Sequence, residues 1–270
     1  MRGLFQGLIV IVSVGLAIIL PMVAMSGQEK VGIAIMHGKM GSPTKYVSDL
    51  ANSLGEKGYL VANIEMPWSG RRCYDANVYA AEQELHATLS SLRNQGARAC
   101  FVAGHSQGCT FALHFAGRHA VDGVICIAPG GDAGSPVFAE NLGESLTAAR
   151  QLVNEGRGGE NVQLYEVDSL QGKTPVVTTP EIYLTWFEPG GPMNMSRAAR
   201  AANPQTPILW IVPERDYPSL RQLSIPLFAA LPPNPQTKLY EPSTDHLGAP
   251  AASIDEIVRW VTLVRSSQGE

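Results

Sequence analysis

The sequence predicts an α/β fold: a doubly wound, mostly parallel, six-stranded sheet with a helical insertion over about 130–203. Three observations carry this expectation. Short apolar runs alternate with amphipathic stretches along the chain, and strand–helix–strand alternation builds a parallel sheet through right-handed crossovers. The runs are continuously apolar, as suits strands covered on both faces. With 270 residues, 45% of them hydrophobic, the chain is long enough to bury one large core as a single domain.

In order, the strands are expected at 31–36, 59–64, 100–103, 123–128, 208–212 and 238–240. Val47, Leu50 and Leu54 share one helical face ahead of Gly58, a stop signal. Val78, Ala81, Leu85, Leu89 and Leu92 share another, with Glu82, His86 and Arg93 on the wet side. The last helix runs over about 252–265 with Ile254, Ile257, Val261 and Val264 facing in. Between 130 and 203 no buried strand is expected. Helical signals recur there at 144–154, at 180–187 behind a Thr178-x-x-Glu181 capping box, and at 196–202. An insertion of that length is usually functional, most often a lid.

Composition excludes some roles. The net charge is −4 and no basic run exceeds the pair Arg71-Arg72, so the electrostatic footprint of a nucleic-acid binder is missing. The first 26 residues read as an export signal: Arg2, an apolar run over 8–20, then Ala24-Met25-Ser26 as a small-x-small cleavage site that would leave residues 27–270 as the mature domain. The alternative is an uncleaved membrane tether through 3–25, because about 20 apolar residues span a bilayer. Either reading places the domain outside the cytoplasm, periplasmic, secreted or anchored facing outward. Of the four cysteines, Cys100, Cys109 and Cys126 lie in apolar segments and read as packing thiols. Cys73, in a loop, is the one expected in any bridge. Their spacing fits no metal site, and no cofactor is expected.

The sharpest local signal is GHSQG at 104–108, after an apolar strand and before a helix. This is the context of a nucleophile elbow, a turn tight enough to need Gly104 and Gly108 and shaped to lift the Ser106 hydroxyl above the sheet. A hydroxyl needs a base within reach and an acid to orient that base. His246, in the loop beyond the last strand, is the expected base. Asp216, in the loop after 208–212, is the expected acid, with Glu214 and Asp132 as rivals. Two backbone N–H groups should hold the oxyanion: Gln107, directly after the nucleophile, and Lys39 in the HGKMG loop at 37–41, with Met40 as fallback.

From 31 to about 264, these residues resemble the α/β-hydrolase superfamily in its serine-hydrolase branch of esterases, lipases and thioesterases. The resemblance rests on the His37-Gly38 turn, the elbow at Ser106, the Asp216 loop and the His246 loop, in that order. It implies an active site at the C-terminal edge of the strands, under a variable cap supplied by the 130–203 insertion. A first strand near Val31 implies a reduced sheet that lacks the family's first two strands. The lysine at position 39 departs from the family's usual apolar or small residue, and its side chain is expected to point to solvent.

The expected function is a serine hydrolase that cleaves a small-molecule carboxylic ester through an acyl-enzyme. The alternatives are an acyltransferase or thioesterase with the same triad, or a catalytically silent ligand-binding protein. Pocket walls are expected from the insertion and from the loop at 66–74, with Trp68 as the leading side chain and Tyr183, Trp186, Phe187, Met193 and Met195 as further candidates. Arg71 and Arg72 either bind a substrate anion or lie in a solvated loop.

Overall fold

The strand Lys30–Met36 (β1) sends Ile33 and Ile35 to one face and Ala34 and Met36 to the other, and all four are buried. A strand with two buried faces needs a layer on each side, and the computed structural model, which describes residues 30–168 and 172–268, supplies both. The export or tether segment lies outside those residues. After β1 come helix α1 (Ser48–Glu56), β2 (Leu60–Ile64), α2 (Val78–Asn94), β3 (Ala97–His105), α3 (Gln107–Ala116) and β4 (Gly123–Ile127). The insertion carries α4 (Pro136–Asn154), β5 (Val162–Asp168), β6 (Gly172–Thr178), α5 (Pro180–Phe187) and α6 (Met195–Arg200). The chain closes with β7 (Ile208–Ile211), α7 (Pro218–Ala229), β8 (Lys238–Tyr240), α8 (Ala249–Ala252) and α9 (Ile254–Gln268).

Strands β2-β1-β3-β4-β7-β8, in that spatial order, form a six-stranded sheet in which every pairing is parallel. Leu50 and Leu54 of α1 and Ile257, Trp260, Val261 and Val264 of α9 pack with Ile33, Ile35 and Phe101 on one face. Leu85, Leu89 and Leu92 of α2 and Phe111 and Phe115 of α3 pack with Ala34, Met36 and Val102 on the other. Each fully buried leucine among them contributes roughly 1.5–3 kcal/mol. Glu82, expected on the wet side of α2, is buried instead, because His114 (2.8 Å) and Arg118 (2.9 Å) reach its carboxylate from α3 and the turn beyond.

The insertion departs most from expectation. It contains an antiparallel hairpin, β5 with β6, where no strand was expected. Val162, Leu164 and Val176 do alternate as strand residues should, but Glu166 occupies an inward position and Pro175 interrupts the second strand. Helix α4 begins at Pro136, two turns earlier than its apolar pattern suggests, capped by the Ser135 side chain. Helix α5 is capped by Thr179, which accepts from the Ile182 N–H, while Thr178 donates to the Tyr74 carbonyl. Pro180 at the first helical position places the cap at the residue before it.

Cys109, in the first turn of α3, is paired with Cys126 on β4 across a Cα–Cα distance of 4.8 Å, inside the usual span for a disulfide. Cys73 and Cys100 are free thiols. The bridge therefore joins two residues expected to pack as thiols, because α3 crosses directly over β4, a relation that spacing along the chain does not reveal. Unfolding the purified protein without reductant should expose two titratable thiols, and four after reduction. Four without reductant would exclude the bridge.

Candidate active site

Strand β3 runs into Gly104-His105-Ser106 and α3 starts at the next residue. Ser106 holds φ 54° and ψ −118°, a region that side chains rarely adopt and that costs about 1–3 kcal/mol. The turn leaves no room for larger residues. A Cβ on Gly104 would lie 2.0 Å from the Gly108 carbonyl oxygen, and one on Gly108 would lie 2.8 Å from that of Met36. The Ser106 N–H bonds the Ile127 carbonyl (2.9 Å) and its own carbonyl accepts from Gly130 (3.2 Å). Although it stands at the helix N-cap, its hydroxyl makes no capping bond.

The loops after β7 and β8 lie side by side. Glu214 N–H bonds Pro242 and Arg215 N–H bonds Thr244, both at 3.0 Å, and Arg215 bridges Asp245. That pairing brings Asp216 under His246, whose Nδ1 lies 2.7 Å from Asp216 Oδ1. Both residues are buried. With Nδ1–H donating to the carboxylate, Nε2 is left as the basic nitrogen. The imidazole is flanked by the rings of Tyr217 and His105, each 5.0 Å away between centroids. His105 Nε2 lies 2.9 Å from the His246 carbonyl and donates to it, so the residue beside Ser106 also fixes the backbone of His246. Among the rivals, Glu214 is exposed, and Asp132 spends Oδ1 on the Gly134 and Met195 N–H groups, both at 2.9 Å. Burial raises the Asp132 carboxyl above its ordinary value.

His37 Nε2 accepts from the Met66 N–H (3.1 Å) and its Nδ1 donates to the Gly38 carbonyl (2.7 Å), which shapes the loop beside the elbow. Burial lowers the basicity of this ring. The Met40 N–H is spent on the Trp68 carbonyl (3.0 Å), so it is no fallback donor. The N–H groups of Lys39 and Gln107 have no backbone acceptor among the described residues. The Lys39 ammonium does not point to solvent as expected. It donates to the Val167 carbonyl and stands 3.6 Å from the Glu166 carboxylate.

Ser106, His246 and Lys39 share one cavity of about 480 Å³. Its walls are Val137 and Phe138 of α4, Val167 of β5, Met195 of α6, and Leu220, Leu223 and Leu227 on one face of α7. Trp68 is not among them. Its ring is fully buried against Phe111 and Trp186, and its N–H donates to the His37 carbonyl (2.9 Å), so this side chain supports the HGKMG loop from beneath. Tyr183, Trp186, Phe187 and Met193 are likewise core residues, and of that group only Met195 lines the cavity. Arg71 is held by Glu65, and Arg72 by Glu84 and Asp75. Helix α7 was missed as a wall because its signal, Leu220, Leu223 and Leu227 at helical spacing, reads equally as a core face.

No family model matches the chain, and no curated protein matches it in sequence. Solved structures do. An α/β hydrolase, GrgF, from Penicillium sp. sh18 superposes with a TM-score of 0.63 at 17% identity, covering 88% of this chain and 91% of its own. A monoacylglycerol lipase of Paleococcus ferrophilus gives 0.60 at 17%, covering 86% and 94%. A thermostable carboxyl esterase of Bacillus coagulans, in complex with glycerol, gives 0.59 at 16%, covering 90% and 91%. The chain has the α/β-hydrolase fold, as the resemblance in its motifs implies.

His105 is the most perturbed base of the site: complete burial, and secondarily His246 alongside, push it down to about 3 from 6.5. Between those two values the unfolded chain binds a proton that the folded chain refuses. Stability is therefore unpenalised above pH about 6.5 and falls as the pH drops through the window towards about 3. Urea unfolding from pH 7 to 4 should show this decline, and His105→Gln should flatten it. Equal slopes in the two proteins would contradict the assignment.

Proposed function

We propose that the chain is a serine hydrolase that cleaves carboxylic esters through an acyl-enzyme. The observation that carries the reading is the buried 2.7 Å contact between His246 and Asp216, with His246 and the strained Ser106 lining the same cavity. Ser106 Oγ attacks the ester carbonyl and passes its proton to His246 Nε2, while Asp216 orients the ring and stabilises the imidazolium. The oxyanion is held by the Gln107 and Lys39 N–H groups, each worth about 3 kcal/mol of barrier. Collapse expels the alcohol, which takes the proton from His246, and water then hydrolyses the acyl-enzyme by the same steps. The leucine face of α7, with Val137 and Phe138 opposite, suits an apolar acyl group. The lipase and esterase among the similar structures are consistent with this choice, although fold alone does not set substrate.

We further propose, from the apolar segment at 3–25, that the domain lies outside the cytoplasm, exported or tethered. The Cys109–Cys126 bridge supports it, since disulfides persist in oxidising compartments.

A fluorophosphonate probe should form a single adduct on Ser106, absent in Ser106→Ala. Asp216→Asn should lower kcat on a short-chain p-nitrophenyl ester by about 10⁴-fold, because the imidazole loses its oriented tautomer. Turnover that survives Ser106→Ala would end the proposal.

A further inference from the structure

Glu166 stands on β5 with its side chain fully buried, beside the cavity wall formed by Val167. A carboxylate in such a place is strongly unfavourable without charged or hydrogen-bonding partners. Two groups bear on it, Lys39 and Tyr74. The Lys39 ammonium lies 3.6 Å from Oε1 and is anchored to the same strand through the Val167 carbonyl. The Tyr74 hydroxyl is completely buried and is held protonated well above its ordinary range, first by burial and then by the Glu166 charge. In this chain of contacts the Gln107 amide meets the Tyr74 hydroxyl through both of its ends, Nε2 at 3.2 Å and Oε1 at 3.5 Å, and Glu166 interacts with Tyr74 and pairs with the Lys39 ammonium.

The two ends of that chain are Lys39 and Gln107, the residues whose backbone N–H groups would receive the oxyanion. They come from separate segments, the loop after β1 and the first turn of α3, and no backbone hydrogen bond joins them among the described residues. Among the described residues their side chains are linked through Tyr74 of the loop after β2 and Glu166 of the insertion. We propose that Glu166 is a positioning residue for the oxyanion hole, setting the spacing of the Lys39 and Gln107 amides by holding Lys39 directly and Gln107 through Tyr74. The inference rests on the serine-hydrolase reading above. An oxyanion donor must sit about 2.7–3.1 Å from the developing charge, and a displacement of about 1 Å can cost about 100-fold in rate, so two segments linked through one carboxylate are a point of control.

The test compares wild type with Glu166→Gln and Tyr74→Phe in the full chain. Glu166→Gln keeps shape and removes charge; Tyr74→Phe keeps the buried ring and cuts the link to Gln107. Steady-state kinetics on p-nitrophenyl butyrate are read beside two ligands: an aliphatic trifluoromethyl ketone, which forms a tetrahedral adduct on the serine, and the matching secondary alcohol, which cannot. In both variants kcat should fall about tenfold to 100-fold with KM within about twofold. Trifluoromethyl ketone affinity should fall by a similar factor while alcohol affinity stays. If Glu166→Gln does not fold, Tyr74→Phe, scored by the same measurements and by thermal unfolding, decides. An unchanged kcat in a folded variant overturns the proposal, as does a parallel loss of alcohol and ketone binding, the mark of a merely structural role. A wild type that neither labels at Ser106 nor turns over the ester overturns the hydrolase reading, and the positioning role with it.

Discussion

The backbone of Ser106 is the constraint around which the rest of the site is built. A serine at φ 54° persists only where its surroundings over-determine it, and here they do so on every side. Gly104 and Gly108 let the strand and helix meet closer than any side chain would allow. The Ile127 carbonyl and the Gly130 N–H tie the residue to β4, and the Cys109–Cys126 bridge ties the first turn of α3 to the same strand. The strain is thus carried by the centre of the sheet, where both faces are packed.

Around that turn the structure buries groups that prefer water and gives them partners from distant parts of the chain. Asp216 has His246, Glu82 has His114 and Arg118, and Glu166 has Lys39. His105 is handled the other way: burial leaves it neutral, and it serves as a donor to the His246 carbonyl. A neutral ring at that place can lie against His246 without opposing a positive charge on it.

Most of the central sheet is legible in the sequence because each strand is a continuous apolar run bounded by turn residues, and the burial of both faces is what makes those runs continuous. The elbow and the loops of Asp216 and His246 are legible because each follows such a strand. The insertion is not, for a physical reason. Its hairpin buries a glutamate whose partner, Lys39, lies more than a hundred residues earlier, so the local pattern shows a polar residue where the fold has a satisfied one. Trp68 illustrates the reverse error. A large aromatic beside a loop suggests a pocket wall, but its neighbours Phe111 and Trp186 come from two other helices and close over it. The disulfide and the direction of the Lys39 side chain are likewise matters of which segment crosses which.

Helix α7 follows directly on the Asp216 loop and lays Leu220, Leu223 and Leu227 along the cavity, yet none of these three side chains takes part in a hydrogen bond that holds Ser106, His246 or Asp216. Shape and chemistry are therefore inherited separately in this chain. Drift at those three positions can widen, shorten or bend the space beside the serine while the network that would activate it stays intact. The shape of the cavity can thus vary within one twelve-residue helix while the hydrogen bonds around Ser106, His246 and Asp216 stay as they are.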